Sequence, residues 1–550
     1  MKYSASQLNL HSMSFELRER DLLGRIGRLK TRNGIVETPA FVPVVSPSSQ
    51  VISPRRMREE FKCDIVITNA YIMKKNFGEQ QNIDVHELLD YDGVVATDSG
   101  AYQILVYGEV ETTAEEILDY QKRIRSDIGV ILDHPTGWGV SRGRAEWTVE
   151  ETLRHAREAV PLIDGDETLW VGPVQGGEYL DLVERSAREM SRLPFQIHAL
   201  GSPTPVMERY LFPVLVDMIM AAKLNLPPDR PLHLFGAGHP MMFPLAVALG
   251  CDMFDSAAYA LFARDDRYLL NNGTVKLGDL DYLPCSCPIC RRHDASDLKE
   301  MLRGERVKAL TEHNLYVSMA EMDAIKQAIS SGTMWELLES RSRVNPALAS
   351  ALRRMLKLRD ALERNSPSYG GRGLSFYDSS GLARPEITRH INRMKSNYSP
   401  PLGVDKLLLA TAPSSKPYNK SMEHSRLVKL IEGAVGEELS KGIHLCYYTV
   451  PFGIVPYELC ETFPLSQFET SKPLDVESME FAADQVKGYV DGGSYSSCIL
   501  HSAKESLDAL VGERLDDLKK GGKKITINSN QDPWGDEALQ RLSVLLRQFS

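Results

Sequence analysis

From the start of the chain to about residue 260 one pattern recurs. A short apolar, β-branched run stops at a polar or glycine-containing turn, and a longer stretch with helical spacing follows. Eight runs fit it: Phe41–Val45, Asp64–Thr68, Val94–Thr97, Gly129–Leu132, Leu169–Val174, Phe195–Leu200, Leu232–Phe235 and Asp252–Phe254. Strands that are apolar along their whole length belong to a parallel sheet covered on both faces. Eight of them separated by helices predict an α/β fold, a closed (β/α)₈ barrel of the TIM type.

In such a barrel the chemistry gathers at the C-terminal ends of the strands. The residues directly after the runs are Asn69, Asp98-Ser99-Gly100, Asp133, Gln175-Gly176-Gly177, Gly201-Ser202, Gly236-Ala237-Gly238 and Asp255. A single carboxylate at a strand end is as readily a helix cap. The convergence of Asp98, Asp133 and Asp255 with Gln175 is what points to a site.

Past the barrel strands, residues 275–320 carry a cysteine cluster and 321–365 read as amphipathic helices, so the first domain is expected to span 1–365. The Ser-, Gly- and Pro-rich segment NSPSYGGRGLSFYDSSGLARPE predicts a linker over 366–403. KLLLATA, IHLCYYTV, SSCILHS and KITINS, alternating with helical stretches, predict a smaller parallel α/β domain over 404–550.

A hydrophobic content of 43% with 25% charged residues is that of a globular chain able to bury a large core. No apolar run reaches the roughly 20 residues of a membrane span, and the first residues lack the blocks of a signal peptide. A cytoplasmic protein with no membrane partner is expected. The formal net charge of −10 argues against a basic coat for non-specific nucleic-acid binding. The local run Arg341, Arg343, Arg353, Arg354, Lys357, Arg359, Arg364 and Arg372 reads as a solvated helix face in preference to a phosphate track.

Three of the eight cysteines crowd into Cys285-Ser286-Cys287-Pro288-Ile289-Cys290. In a reducing compartment this density points to a metal rather than to disulfides. With His313 the cluster makes a closed Cys₃His set, the arrangement of one structural Zn²⁺ per subunit. His293 competes for the fourth place. His313 is preferred because a distant ligand clips separate segments together.

These residues, taken in order, resemble the tRNA-guanine transglycosylases. The motifs are Asp98-Ser99-Gly100-Ala101-Tyr102-Gln103, Val174-Gln175-Gly176-Gly177, Phe235-Gly236-Ala237-Gly238-His239-Pro240, Asp252-Met253-Phe254-Asp255-Ser256 and the cysteine cluster. His198-Ala199-Leu200-Gly201, Asp255-Ser256-Ala257-Ala258-Tyr259 and the C-terminal extension are similar to the archaeal branch. The resemblance implies exchange of guanine at position 15 of the tRNA D-loop for 7-cyano-7-deazaguanine (preQ0), an early step of archaeosine biosynthesis. It implies Asp255 as nucleophile at C1′ and Asp98 as general acid and base. Tyr102 and Phe235 would sandwich the base, with Gln103 in the same substrate-binding motif, while Asp133, Gln175 and the backbone around Gly201 bond its edge. It further implies a homodimer acting on tRNA and a free 7-deazaguanine base. No PUA module is recognised in the chain, so a separate PUA-domain subunit is an expected partner.

Lys416-Pro417-Tyr418-x₂-Ser421-x₂-His424, followed by Pro451-Phe452-Gly453-Ile454-Val455-Pro456, resembles a domain of archaeosine synthases, in which a Pro-Cys pair stands upstream of the lysine; here that stretch reads Ala410-Thr411-Ala412-Pro413-Ser414-Ser415, with no cysteine. That departure opposes a synthase activity. A silent tRNA-binding subunit is opposed by the presence of both Asp98 and Asp255. Base exchange in DNA is left open by the residues alone.

Overall fold

Runs in which every side chain is apolar can be satisfied only between two covered faces, and the computed structural model arranges them so. It describes residues 14–78, 83–101, 112–370 and 372–548. The chain forms two units, dividing between Met355 and Leu356.

The first unit begins with a three-stranded antiparallel sheet, β1 (Phe15–Asp21), β2 (Gly24–Lys30) and β3 (Ile35–Thr38). The eight runs follow as β4 (Ala40–Pro43), β5 (Ile65–Asn69), β6 (Val94–Asp98), β7 (Ile128–Val130), β8 (Leu169–Val174), β9 (Ile197–Leu200), β10 (Leu232–Leu234) and β11 (Met253–Ser256). All lie in one sheet of order β4-β11-β10-β9-β8-β7-β6-β5. Every neighbouring pair is parallel. A parallel bridge between Val44 and Ile67, with Val45 N–H donating to Ile67 O at 2.8 Å, brings β4 against β5 and closes the ring. This is the (β/α)₈ barrel the sequence predicts.

Its interior is filled by alternate residues from seven of the eight strands: Val42, Ile65, Ile67, Val94, Ala96, Ile128, Val130, Val171, Ile197, Ala199 and Met253. Phe15, Leu29 and Val36 of the antiparallel sheet join that cluster and stop the N-terminal end of the barrel. Beneath them Arg25 pairs with Asp252 through two hydrogen bonds of 2.8 and 2.9 Å.

After the barrel come a hairpin, β12 (Arg267–Leu270) and β13 (Gly273–Lys276), two short helices, and the helix Arg303–Ser331, which stops at Gly332 in the left-handed region. They share a small apolar core around Tyr268, Leu277, Leu298 and Leu310.

The second unit holds a parallel pair, β14 (Leu374–Phe376) with a later strand, and a five-stranded sheet. The five strands are β15 (Lys406–Thr411), β16 (Ile443–Thr449), β17 (Gly453–Pro456), β19 (Ser497–Ser502) and β20 (Ile525–Ser529), while β18 (Phe468–Thr470) is the partner of β14. The order β17-β16-β15-β19-β20 is parallel except at the β17 edge, as expected for the smaller α/β domain. Helices Met422–Val435 and Asp536–Arg547 pack together, as do Val476–Gly492 and Leu507–Lys520.

Two boundaries differ from expectation. The helix Arg359–Asn365 belongs to the second unit, where Arg389 joins Glu363 at 2.8 Å and Pro367 O at 2.7 Å. Segment 366–403 is not a bare linker: it contains β14 and the helix Pro385–Ser396. Leu374, Phe376 and Ile387 bury themselves in the second core, and that apolar gain outweighs the turn-forming composition around them. Among the described residues no helix is long and apolar enough to cross a membrane.

Candidate active site

Strand alternation decides which polar side chains reach the barrel mouth. Val94 and Ala96 point inward on β6, so Asp98, two residues further, does the same; on β11, Met253 inward puts Asp255 inward. Asn69 ends β5 directly beside Asp98 in the sheet register. Its Nδ2 donates to Asp98 Oδ2 at 3.0 Å while its Oδ1 accepts from Ile72 N–H at 2.9 Å and caps the helix Ala70–Phe77. One amide therefore ties the acid to the start of a helix.

Burial, reinforced by the charge of Asp255, pushes the Asp98 carboxyl up to about 6, against the lowering effect of the Gly100 and Ser99 amides. Burial also acts first on Asp133, which is 3% exposed, and with the charge of Asp98 lifts it to about 7. These mutual effects place the three carboxylates in one field, at one mouth.

Asp133 accepts from Gln175 Nε2 at 2.6 Å. The Gln175 amide is held from its other side, since Oε1 accepts from Thr136 N–H at 3.0 Å, Thr136 Oγ1 at 3.2 Å and Ser202 Oγ at 3.1 Å. Gly201 is required next to it: a Cβ there would stand 2.2 Å from Gln175 Nε2. Asp255 is gripped in a comparable way. Its Oδ1 accepts from Gly236 N–H at 3.0 Å and lies 2.9 Å from Nε2 of the buried His233. Gly236 has φ +68, and a side chain there would also press on Thr204 Oγ1. Phe235 is half-buried, with its ring edge-on to His233 at 4.8 Å. A cavity of about 210 Å³ opens beside Asn69, walled by Val45, Gln50, Ala257 and Arg264.

The structure thus brings Asp98, Asp133, Gln175, Gly201, Phe235 and Asp255 to one end of the barrel. Tyr102 and Gln103 lie outside the described residues. Sequence reasoning missed His233, Thr136 and the helix-capping part of Asn69. His233 had one local signal, its position two residues before Phe235 on the same strand face.

The cysteine cluster is also assembled. One ligand atom each from Cys285, Cys287, Cys290 and His313 lies within 4.8 Å of every other, and the group could hold a metal ion. His313 Nδ1 is 3.4 Å from both the Cys287 and Cys290 sulfurs, while its Nε2 meets Leu269 O at 2.9 Å. That outer contact fixes the tautomer that leaves Nδ1 free to ligate. Tyr268 stacks on the ring at 3.7 Å. His293 is elsewhere, 4.0 Å from Asp297. Three soft thiols and an imidazole with no carboxylate suit a closed tetrahedral site. A second grouping, His134, Glu151 and His155, has comparable spacing, but there the Arg154 guanidinium already stands 3.0 Å from His155 Nε2.

The chain matches the family model described as queuine tRNA-ribosyltransferase over residues 21–347. It belongs to the tRNA-guanine transglycosylase family. A second model, a domain of unknown function (DUF5591), matches residues 387–546. Among relatives, a tRNA-guanine(15) transglycosylase of Aeropyrum pernix is 46% identical over 462 residues, covering 83% of this chain and 87% of that protein. Proteins of the same name from Pyrobaculum aerophilum and Haloferax volcanii are each 44% identical, covering 83% and 87% of this chain and 90% and 88% of their own lengths. The family match contains the whole barrel and the cysteine cluster, so the acids of this transglycosylase lie within the part the family shares.

Proposed function

We propose that the chain exchanges guanine at position 15 of the tRNA D-loop for 7-cyano-7-deazaguanine, by double displacement on an intact sugar–phosphate strand. The observation that carries this reading is the mouth itself, where Asp255 with its Oδ1 held faces a protonatable Asp98. Replacement of a base without net inversion at C1′ calls for a carboxylate nucleophile and a covalent glycosyl–enzyme intermediate. In the first step the C1′–Oδ bond to Asp255 forms as the C1′–N9 bond breaks, and guanine leaves with a proton supplied through Asp98. In the second the entering base loses its N9 proton to Asp98, its N9 bonds to C1′, and the electron pair of the ester returns to Asp255.

Asp133 and Gln175 take the hydrogen-bonding edge of the base, next to the backbone at Gly201, and we assign Phe235 with Tyr102 to its faces and Gln103 to substrate binding with them. Unstacking a nucleotide from tRNA costs a few kcal/mol, which these contacts must return. The absence of an acid in Gly201-Ser202-Pro203-Thr204-Pro205 suits a neutral nitrile better than a cationic aminomethyl group.

Zinc is the ion we assign to Cys285, Cys287, Cys290 and His313, where it would clip the hairpin β12–β13 region to the helix Arg303–Ser331 and take no part in the chemistry. We assign the second unit to positioning RNA or binding a partner, because the stretch upstream of Lys416, Ala410-Thr411-Ala412-Pro413-Ser414-Ser415, holds no cysteine for a synthase activity. We further assign a cytoplasmic homodimer, aided by a separate PUA-domain subunit.

Incubation of the protein with labelled guanine and either unmodified tRNA or duplex DNA tests the substrate, and mass spectrometry of tRNA after reaction with preQ0 tests the product. Label entering only the DNA overturns the assignment. Asp255→Ala should abolish the covalent RNA adduct and leave tRNA binding intact; undiminished exchange in that variant refutes the nucleophile.

A further inference from the structure

We propose that His233 is a positioning residue for Asp255: it holds one carboxylate oxygen so that the other faces C1′, and it stabilises the carboxylate as it departs from the sugar in the second displacement. This rests on the reading of Asp255 as nucleophile.

Three observations carry it. His233 lies on β10, whose neighbour in the ring is β11, and the pairing of His233 with Met253 and Leu234 with Phe254 brings Asp255 one step above the imidazole. The ring is 3% exposed, and its Nε2 is 2.9 Å from Asp255 Oδ1. The proposal places the proton on Nε2, since only an imidazole N–H could donate to this oxygen. Nε2 is buried and makes no hydrogen bond to any described residue, so at 2.9 Å its N–H is aimed away from Oδ1. Donors at catalytic sites are often poorly aligned before substrate binds and tighten in the complex. Gly236 N–H takes the same oxygen at 3.0 Å. Both approaches fall on Oδ1, which leaves Oδ2 for the anomeric carbon.

The consequence is an asymmetry between the half-reactions. When the glycosyl ester forms, the charge on Asp255 disappears and the donors at Oδ1 face a carbonyl. When the ester breaks, the C1′–Oδ2 electron pair returns to Asp255 and the same donors meet a full carboxylate, to which hydrogen bonds are about twice as strong. A group aimed at charge that reappears in the transition state accelerates that step. His233 should therefore govern how fast the covalent RNA adduct is resolved more than whether it forms. Phe235 packs edge-on to the imidazole, with ring centroids 4.8 Å apart.

The test compares wild type with His233→Met, which fills the space without a donor, His233→Asn, whose amide is too short to reach, and His233→Gln, whose amide nitrogen reaches as far as Nε2. The readouts are kcat, KM for tRNA, the fraction of protein in covalent adduct at steady state, and the residue bearing it by peptide mapping. Loss of one such donor should lower kcat by on the order of tenfold to a hundredfold in the Met and Asn variants, with KM nearly unchanged and adduct accumulating. The Gln variant should recover most of kcat and the wild-type adduct fraction. Adduct on Asp255 with a wild-type kcat and adduct fraction in the Met or Asn variant overturns the role of His233 alone. A Gln variant as impaired as a folded Asn variant also overturns it. An adduct mapped to another residue overturns the nucleophile assignment and this proposal with it.

Discussion

On the proposed assignment of Asp133 to the edge of the base, base recognition should depend on pH with a sign fixed by this residue. A guanine-like base presents N–H donors on its pairing edge, so Asp133 would have to be ionised to accept them while Gln175 Nε2, at 2.6 Å, occupies one of its oxygens. Burial and the neighbouring charge of Asp98 raise this carboxyl to about 7 from an ordinary 3.8. Binding must then expel a proton from part of the population. For a carboxyl near 7, about a tenth of the protein is protonated at pH 8 and about nine tenths at pH 6, so the apparent affinity for free base should fall about tenfold between them. Calorimetric titration with preQ0 from pH 6 to 8 measures this, and heats in buffers of different ionisation enthalpy count the proton released. Asp133→Asn should weaken binding at pH 8 and flatten the dependence. The same shift acts on stability. A folded-state value above the unfolded one makes the native protein bind more protons, so the contribution from Asp98 and Asp133 is greatest below 3.8 and is lost as pH rises through about 6 and 7. Base affinity that is constant from pH 6 to 8, or that strengthens on acidification, refutes the argument.

Three further outcomes follow from the packing. Gly201→Ala places a Cβ 2.2 Å from Gln175 Nε2 and must push the amide off Asp133; kcat/KM for base exchange should drop by on the order of tenfold or more while the thermal midpoint moves little, and unchanged exchange would count against the pocket. Asp252→Asn removes the carboxylate that pairs with buried Arg25, also 3.9 Å from Lys223, and accepts from Leu232 N–H at 2.8 Å. Denaturant unfolding should show a loss of about 3–5 kcal/mol, with a loss under about 1 kcal/mol contradicting the pairing. Chelation of metal, or Cys287→Ser, should lower the unfolding temperature of the first unit, and added zinc should restore only the chelated wild type. Identical melting curves with and without metal would remove the structural role.

The barrel was legible because its signal is local. Each run of apolar residues is a strand, and each strand end exposes the next polar residue to the mouth, so Asp98, Asp133 and Gln175 could be found one at a time. The last strand was read as Asp252–Phe254 but runs Met253–Ser256. Asp252 itself still bonds both neighbouring strands through its backbone, to Leu232 O at 2.7 Å and from Ala40 N–H at 2.9 Å, while its side chain pairs with Arg25, 227 positions away. Asp255 thus sits within the strand and not after it. His233 was not legible for a related reason: inside an apolar run a lone histidine reads as core, and only the register of β10 against β11 brings it to Asp255. The 366–403 segment misled by composition. Its β14 pairs with β18, and a partner that far along the chain leaves no periodicity to read.

What separates the roles of three acids at one mouth is what each one touches. Asp98 and Asp133 are lifted first by burial and then by neighbouring negative charge, and each faces an amide donor, Asn69 or Gln175, on one oxygen. Asp255 instead meets a backbone N–H and an imidazole on one oxygen. Environments that treat like groups differently are how one fold runs acid, base and nucleophile chemistry at a single pH. The arrangement also explains why the glycines cluster here. Gly201 and Gly236 admit Gln175 and Thr204 to positions that any side chain would block, so the same residues that shape the proposed base pocket fix the donors on which the proposed roles of the acids rest.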